Sequence, residues 1–431
     1  MKVLQLSVVW LAVLCVLSAC SGGTSSSNET INDASGGTAT GSASPSLPNV
    51  RLLNEVLADI AHHVIVPTYA SFETSAANLV TTLADYDVLI KSGSGSAEEL
   101  KRVQQQWIET MVAWQAAEVL QLGPAAPVST LEPAVGAMGL RDEIYSWPTV
   151  NQCRVDQELV EQKYLEDGFF DQELNNVYGL DASEYLIFAE STDNACPPQA
   201  AINADGLWEA FDAEEIAAAR IAYALALAEN VLFRADELHS AWAESEGNFV
   251  SDFANAGQEN SVYRSAYEAL NDLSDALFYI EKVVKDYKLA RPMGLIGCSE
   301  GACPDNVESR FSRMSKEAII ANLQAAHKIF TGAQGEITGL GLQDYLNSIE
   351  VGEAFAEPMI ESLRVTLETL ETMDSTIYDA VGDEPECLDE SSAGALCKVY
   401  FSLKGFTDRL KSNFLEVLKL ELPASASGDA D

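Results

Sequence analysis

The sequence predicts an all-α protein made of two helical bundles, and three observations carry that prediction. Apolar residues step by three and four over long stretches. No stretch sustains the polar–apolar alternation of a half-buried strand. Breaks rich in Gly, Pro and Ser fall near 92–97, 123–133, 192–206, 293–305, 331–342 and 380–396, and separate roughly eight to ten helices. The roughly 375 residues from 49 to 423 exceed what one compact core usually organises. Two bundles are therefore expected, at 49–205 and 206–423, divided at the 192–206 break.

The chain opens as an export signal. Met1-Lys2 is a short positive start, Leu6 to Leu17 is an apolar run too short to span a bilayer, and small residues follow. Residues 1–19 thus read as a signal peptide. The segment Leu17-Ser18-Ala19-Cys20 resembles a bacterial lipobox, which implies cleavage before Cys20 and lipidation of its thiol. Residues 20–48 then form a lipidated cysteine and a flexible tether rich in Ser, Gly and Thr, a composition that builds no core. Ser21 favours the outer membrane under the usual lipoprotein sorting rule. The expected location is the bacterial cell envelope, with the protein lipid-anchored and facing the periplasm or the cell surface. Residues 424–431 read as a disordered tail.

Within the bundles, three stripes are explicit. Leu270, Leu273, Leu277, Ile280, Val284 and Tyr287 form one; Ile319, Leu323, Ala326 and Phe330 form the second; Ile360, Leu363, Leu367, Leu370, Met373 and Ile377 form the third. Trp107, Trp114, Trp147 and Trp242 are expected in the core or between bundles. Six cysteines follow Cys20, an even number that reads as disulfides in an exported chain. Proximity in sequence pairs Cys153 with Cys196, Cys298 with Cys303 and Cys387 with Cys397.

The formal charge of −41 becomes −42 when the signal and its Lys2 are removed. Such a chain repels nucleic acid, so no nucleic-acid partner is expected, and it attracts cations. HExxH, GxSxG, P-loop and EF-hand patterns are all missing from the sequence.

The stretch "GLDASEYLIF" (179–188) places Asp181 and Glu184 one helical turn apart in an apolar run. Two accounts fit. In the first, Asp-x-x-Glu is a capping box: Asp181 accepts from the Glu184 N–H, Glu184 reaches back, and Gly179 eases the turn. In the second, a helix runs through from 171, both acids lie on a stripe with Tyr178, Tyr185 and Phe188, and burial demands a compensating positive charge. Candidate compensators are Arg154 and Arg291, or a metal ion shared with Glu118, His62 or His63.

The ordered segments "VIVPTYASFETSAANL" (64–79), "WIETMVAWQAAEVLQLGP" (107–124), "YSWP" (145–148), "KDYKLARPMGL" (285–295), "FSRMSKEAIIANLQAAHKIFTG" (311–332) and "GLGLQDYL" (339–346) make the chain resemble the imelysin family, also called the M75 peptidase family. The resemblance covers about residues 50–422. It implies an exported two-bundle protein associated with bacterial iron uptake and its transport components. The family's founding member is described as a metallopeptidase, and if this chain is one, Glu184 is the catalytic candidate, as metal ligand or general base. The family signature is Gly-x-His-x-x-Glu. Here Gly179 and Glu184 match, while Asp181 stands where the histidine belongs, giving GxDxxE. Replacing imidazole by carboxylate removes the nitrogen ligand a zinc peptidase needs and suits harder ions. The expectation is a lipoprotein that binds iron, another cation or a cation-bearing ligand. A metallopeptidase, and a scaffold whose motif has become a plain helix cap, are the alternatives.

Overall fold

The computed structural model describes residues 49–128, 134–298, 301–334, 337–383, 387, 389–391 and 394–423. The signal, Cys20, the tether and the tail lie outside them.

Helix starts follow the sequence. Helix α1 (Val50–Ile60) begins where the Asn49 side chain accepts from the Leu52 N–H at 3.2 Å. A π turn (Ala61–Ile65) carries the chain into α2 (Val66–Lys91), just before Pro67, which has no N–H to extend an ordinary ladder. Helix α3 (Ala97–Glu118) is capped by Ser96 and carries Glu98 and Glu99 in its first turn, where the helix dipole favours them. The short helices α4 (Leu140–Ile144) and α5 (Gln152–Glu161) lead to α6 (Leu180–Phe188). Helix α7 (Ala213–Trp242) starts on a capping box between Asp212 and Glu215. Helix α8 (Ala266–Tyr279) continues into a π segment (Ile280–Ala290), and α9 (Ser315–Thr331), α10 (Glu353–Glu371) and α11 (Ala395–Arg409) follow. Strand structure among the described residues is a single two-residue ladder pairing Ala333 with Thr338 and Gln334 with Ile337.

The fold is all-α, and the described residues, all within 48–431, form one compact unit in which two sets of helices can be followed. In the first, α2 packs between α3 and α7, and α6 packs on α3 and α7. Phe72, Trp107, Trp114 and Trp242 fill it. In the second, the π segment, α9, α10 and α11 pack together. Helix α9 also packs on α3, which joins the groups. The helices on the two sides of the 205/206 junction therefore interleave: α7 lies along α2, and α9 along α3. Helix α7 is long and apolar enough to cross a membrane by length and composition, yet Leu227, Val231 and Leu238 are buried in this core.

The predicted stripes are largely core, although Ile360 and Leu367 of the third are only partly buried and the first departs at its end. Leu270 through Val284 are fully buried, but Tyr287 is 43% exposed. The helix widens to π geometry at Ile280, so later positions rotate off the stripe. Trp147 is likewise only partly buried. All three expected disulfides are present. Cys153–Cys196 fastens α5 to the loop after α6.

Candidate functional site

Helix α6 begins abruptly. A 3-10 turn (Asn175–Val177) precedes it, and Gly179 sits at φ +97°. A Cβ at Gly179 would lie 2.8 Å from the Ile144 carbonyl oxygen, so glycine is required there by conformation and by space. The helix does not run through from 171. It starts at Leu180, as the capping account requires, yet neither acid caps it. Asp181 Oδ1 accepts from the Ala182 N–H at 3.1 Å, and Oδ2 from the Ser146 hydroxyl at 2.9 Å. Glu184 turns away from the helix start. Its Oε1 accepts from the Phe311 N–H (3.1 Å), the Ser312 N–H (2.8 Å) and the Ser312 hydroxyl (2.8 Å). The capping box is thus replaced by long-range partners.

Both carboxylates are buried, 5% and 6% exposed. Burial pushes each pKa up to about 7, against the pull of the hydrogen bonds just named; Glu308 adds a smaller upward push on Glu184. They sit on the wall of a cleft of about 280 Å³. Trp147, Tyr185, Tyr287 and Phe311 supply its aromatic lining, and Arg291 and Arg310 its positive charge. The Arg291 guanidinium lies 5.7 Å from the Tyr287 ring centre, and that of Arg310 4.8 Å from the Phe311 ring centre. The wall opposite α6 is the segment 305–312. Ser309 and Arg313 near its end both adopt positive φ, which holds the Phe311 and Ser312 amides toward Glu184.

The expected site residues divide. Gly179, Asp181, Glu184 and Arg291 converge here. Arg154 does not line the cleft; it pairs with Glu158 and Glu173 on the side of α5. His62 faces Glu244 at 3.5 Å and His63 faces Asp59, one turn earlier on α1, at 3.8 Å; neither lines the cleft. Glu118 is buried but does not line the cleft; Arg141 (2.8 Å) and the Tyr279 hydroxyl (2.8 Å) already partner its carboxylate.

A second buried layer escaped the sequence reading. Lys288 and Glu308, both fully buried, pair at 3.0 Å. Glu308 also accepts from the Tyr145 hydroxyl (2.8 Å) and the Gln115 amide (3.2 Å), and Lys288 donates to Asn322 (2.9 Å). Signals existed: Lys285 and Lys288 lie one turn apart among Val284, Leu289 and Ala290, where surface lysines do not belong. The segments "YSWP", "KDYKLARPMGL" and "FSRMSKEA" contribute Trp147, Arg291 and Phe311 to the cleft.

A resident catalytic metal does not fit. Among the described residues, no group of three or more His, Cys, Asp or Glu side chains could hold an ion. N–H and O–H donors already occupy both oxygens of Asp181 and Oε1 of Glu184, so the pair by itself supplies too few free oxygens to fix a catalytic ion.

A family model described as Imelysin, Peptidase M75, matches residues 65–389. A solved protein described as an iron-regulated protein A precursor, from Parabacteroides distasonis ATCC 8503, is similar with a TM-score of 0.64 at 16% identity, over 88% of this chain and 96% of its own. An imelysin-like protein from Psychrobacter arcticum 273-4 is similar with a TM-score of 0.62 at 16% identity, over 88% of this chain and 99% of its own. At such identities the likeness concerns the fold. No curated protein sequence matches the chain.

Proposed function

This chain belongs to the imelysin family, and from that premise we propose that it captures a cation or a cation-bearing small molecule at the bacterial cell envelope, in metal uptake. One observation carries the reading: Asp181 and Glu184 are both held out of water on the wall of a cleft. Two buried carboxylates at that distance from solvent favour any ligand that brings positive charge, because each is penalised when it ionises alone. Iron is the first ion to test, since the Parabacteroides neighbour is described as iron-regulated. The metal here is cargo, so its remaining coordination need not come from protein. The lipobox-like Leu17–Cys20 run supports a membrane-anchored location, probed by palmitate labelling that Cys20→Ala abolishes.

The test is equilibrium dialysis of the intact chain against iron and manganese salts, with metal counted by mass spectrometry. The double variant Asp181→Asn/Glu184→Gln is expected to weaken binding about tenfold or more, since one unpaired charge interaction of about 1.4 kcal/mol is a factor of ten. Unchanged binding, together with a lower melting temperature, would make the pair structural and end the reading.

A further inference from the structure

We propose that the cation enters this cleft already wrapped in a small polycarboxylate, and that Arg291 and Arg310 recognise the chelator's carboxylates. The inference rests on the cation-capture reading and names the chemical class of its ligand.

The donor count comes first. Hard cations take six or more oxygen ligands. The buried acids of the cleft are two, and three of their four oxygens already accept hydrogen bonds from protein groups. Asp305, the third acid of the lining, is 87% exposed at its side chain and lies 3.9 Å from Arg310. A bare ion held here would lack most of its shell, so the missing oxygens must arrive with it.

The guanidiniums come second. A site built only for a cation would exclude positive side chains, yet two arginines line it. Neither is neutralised by a buried carboxylate in the contacts observed. Arg310 donates to the neutral Gln152 carbonyl at 2.9 Å. The Arg291 Nε is buried and has no hydrogen-bond partner among the described residues. An uncompensated buried N–H beside a cleft is costly unless a ligand accepts from it. Arginine is the side chain suited to this, since its planar fork meets a carboxylate with two parallel hydrogen bonds. Tyr287 and Phe311 keep the two forks stacked and oriented.

Polarity is therefore divided within one cavity. The acids face the metal or its protonatable oxygens, and the arginines face the anionic rim. A cleft of about 280 Å³ has room for a compact chelate and none for a protein domain.

Isothermal titration calorimetry on the intact chain tests this, with ferric citrate, citrate alone and manganese chloride as probes. Ferric citrate is expected to bind at least tenfold more tightly than either other probe. Arg291→Gln and Arg310→Gln should each weaken ferric citrate about tenfold, while manganese, which the guanidiniums repel, should bind no more weakly than to the wild type. Arg291→Lys, which keeps the charge and loses the fork, should recover only part of the affinity, and circular dichroism melts show whether each variant is folded. Arginine variants that bind ferric citrate like the wild type, or manganese binding as tight as the chelate, would overturn the chelate assignment while leaving capture of a bare cation in place. Failure of every probe to bind would remove both readings.

Discussion

Asp181 and Glu184 keep their protons to higher pH than ordinary carboxylates because burial strips water from the ionised form faster than Ser146, Ser312 and the backbone replace it. In the unfolded chain each titrates near 4. In the folded chain each titrates at about 7. Between these values the folded state holds more protons than the unfolded state, so stability falls as pH rises and levels off above the folded pKa. Asp156 and Asp272, pushed up to about 6 by burial, add to the lower part of the same window. Urea midpoints of the metal-free protein should therefore drop between pH 5 and pH 8. Asp181→Asn should flatten that slope by about one proton, a difference of up to about 3 kcal/mol across the window. An unchanged slope would mean that Asp181 is ionised throughout. Apart from the Ala182 N–H beside Asp181, the acids' partners were not legible from their own neighbourhood: Ser312 lies 128 residues from Glu184, and Ser146 35 residues from Asp181.

At the scale of elements, the start of α6 decides where the acids point. Gly179 at φ +97° ends the preceding irregular segment and begins the helix in one residue, against the Ile144 carbonyl. Gly179→Ala adds a Cβ 2.8 Å from that oxygen in a conformation alanine avoids. The expected cost is about 1–3 kcal/mol, read as a lower thermal midpoint. Because the same turn places Asp181 beside Ser146, metal or chelate affinity should fall with it; a variant as stable as the wild type would show that the turn has slack. The Asp-x-x-Glu spacing was visible in the sequence and suggested a cap. It failed as a cap because the segment 305–312 offers Glu184 two amides and a hydroxyl at once, a better set than one backbone N–H at the helix start.

At the scale of the molecule, α7 covers α2 and α9 covers α3, so each half of the chain completes the core of the other. A fragment of residues 49–205 would expose the faces of α2 and α3 on which α7 and α9 pack, Tyr69 losing its ring contact with Trp242 at 5.8 Å. Exposed apolar faces of that size do not stay monomeric. The fragment is expected to aggregate or to lose cooperative unfolding, and co-expression with residues 206–423 to restore it. A soluble 49–205 fragment with a sharp urea transition would establish an independent bundle.

What the residues determined alone was local and periodic. Helical stripes, the even cysteine set with its pairing of sequence neighbours, and the acid pair at 181 and 184 all follow from spacing along the chain. Tertiary structure alone decided which charges meet. Arg291 and Arg154 were equal candidates in the sequence, as were Glu118 and the histidines, and only packing brought Arg291 to the cleft, gave Glu118 to Arg141 and sent His62 to Glu244. The reason is physical: a helix or a cap is stabilised by neighbours three or four residues away, whereas a buried charge is stabilised by whatever distant segment the folded core delivers to it.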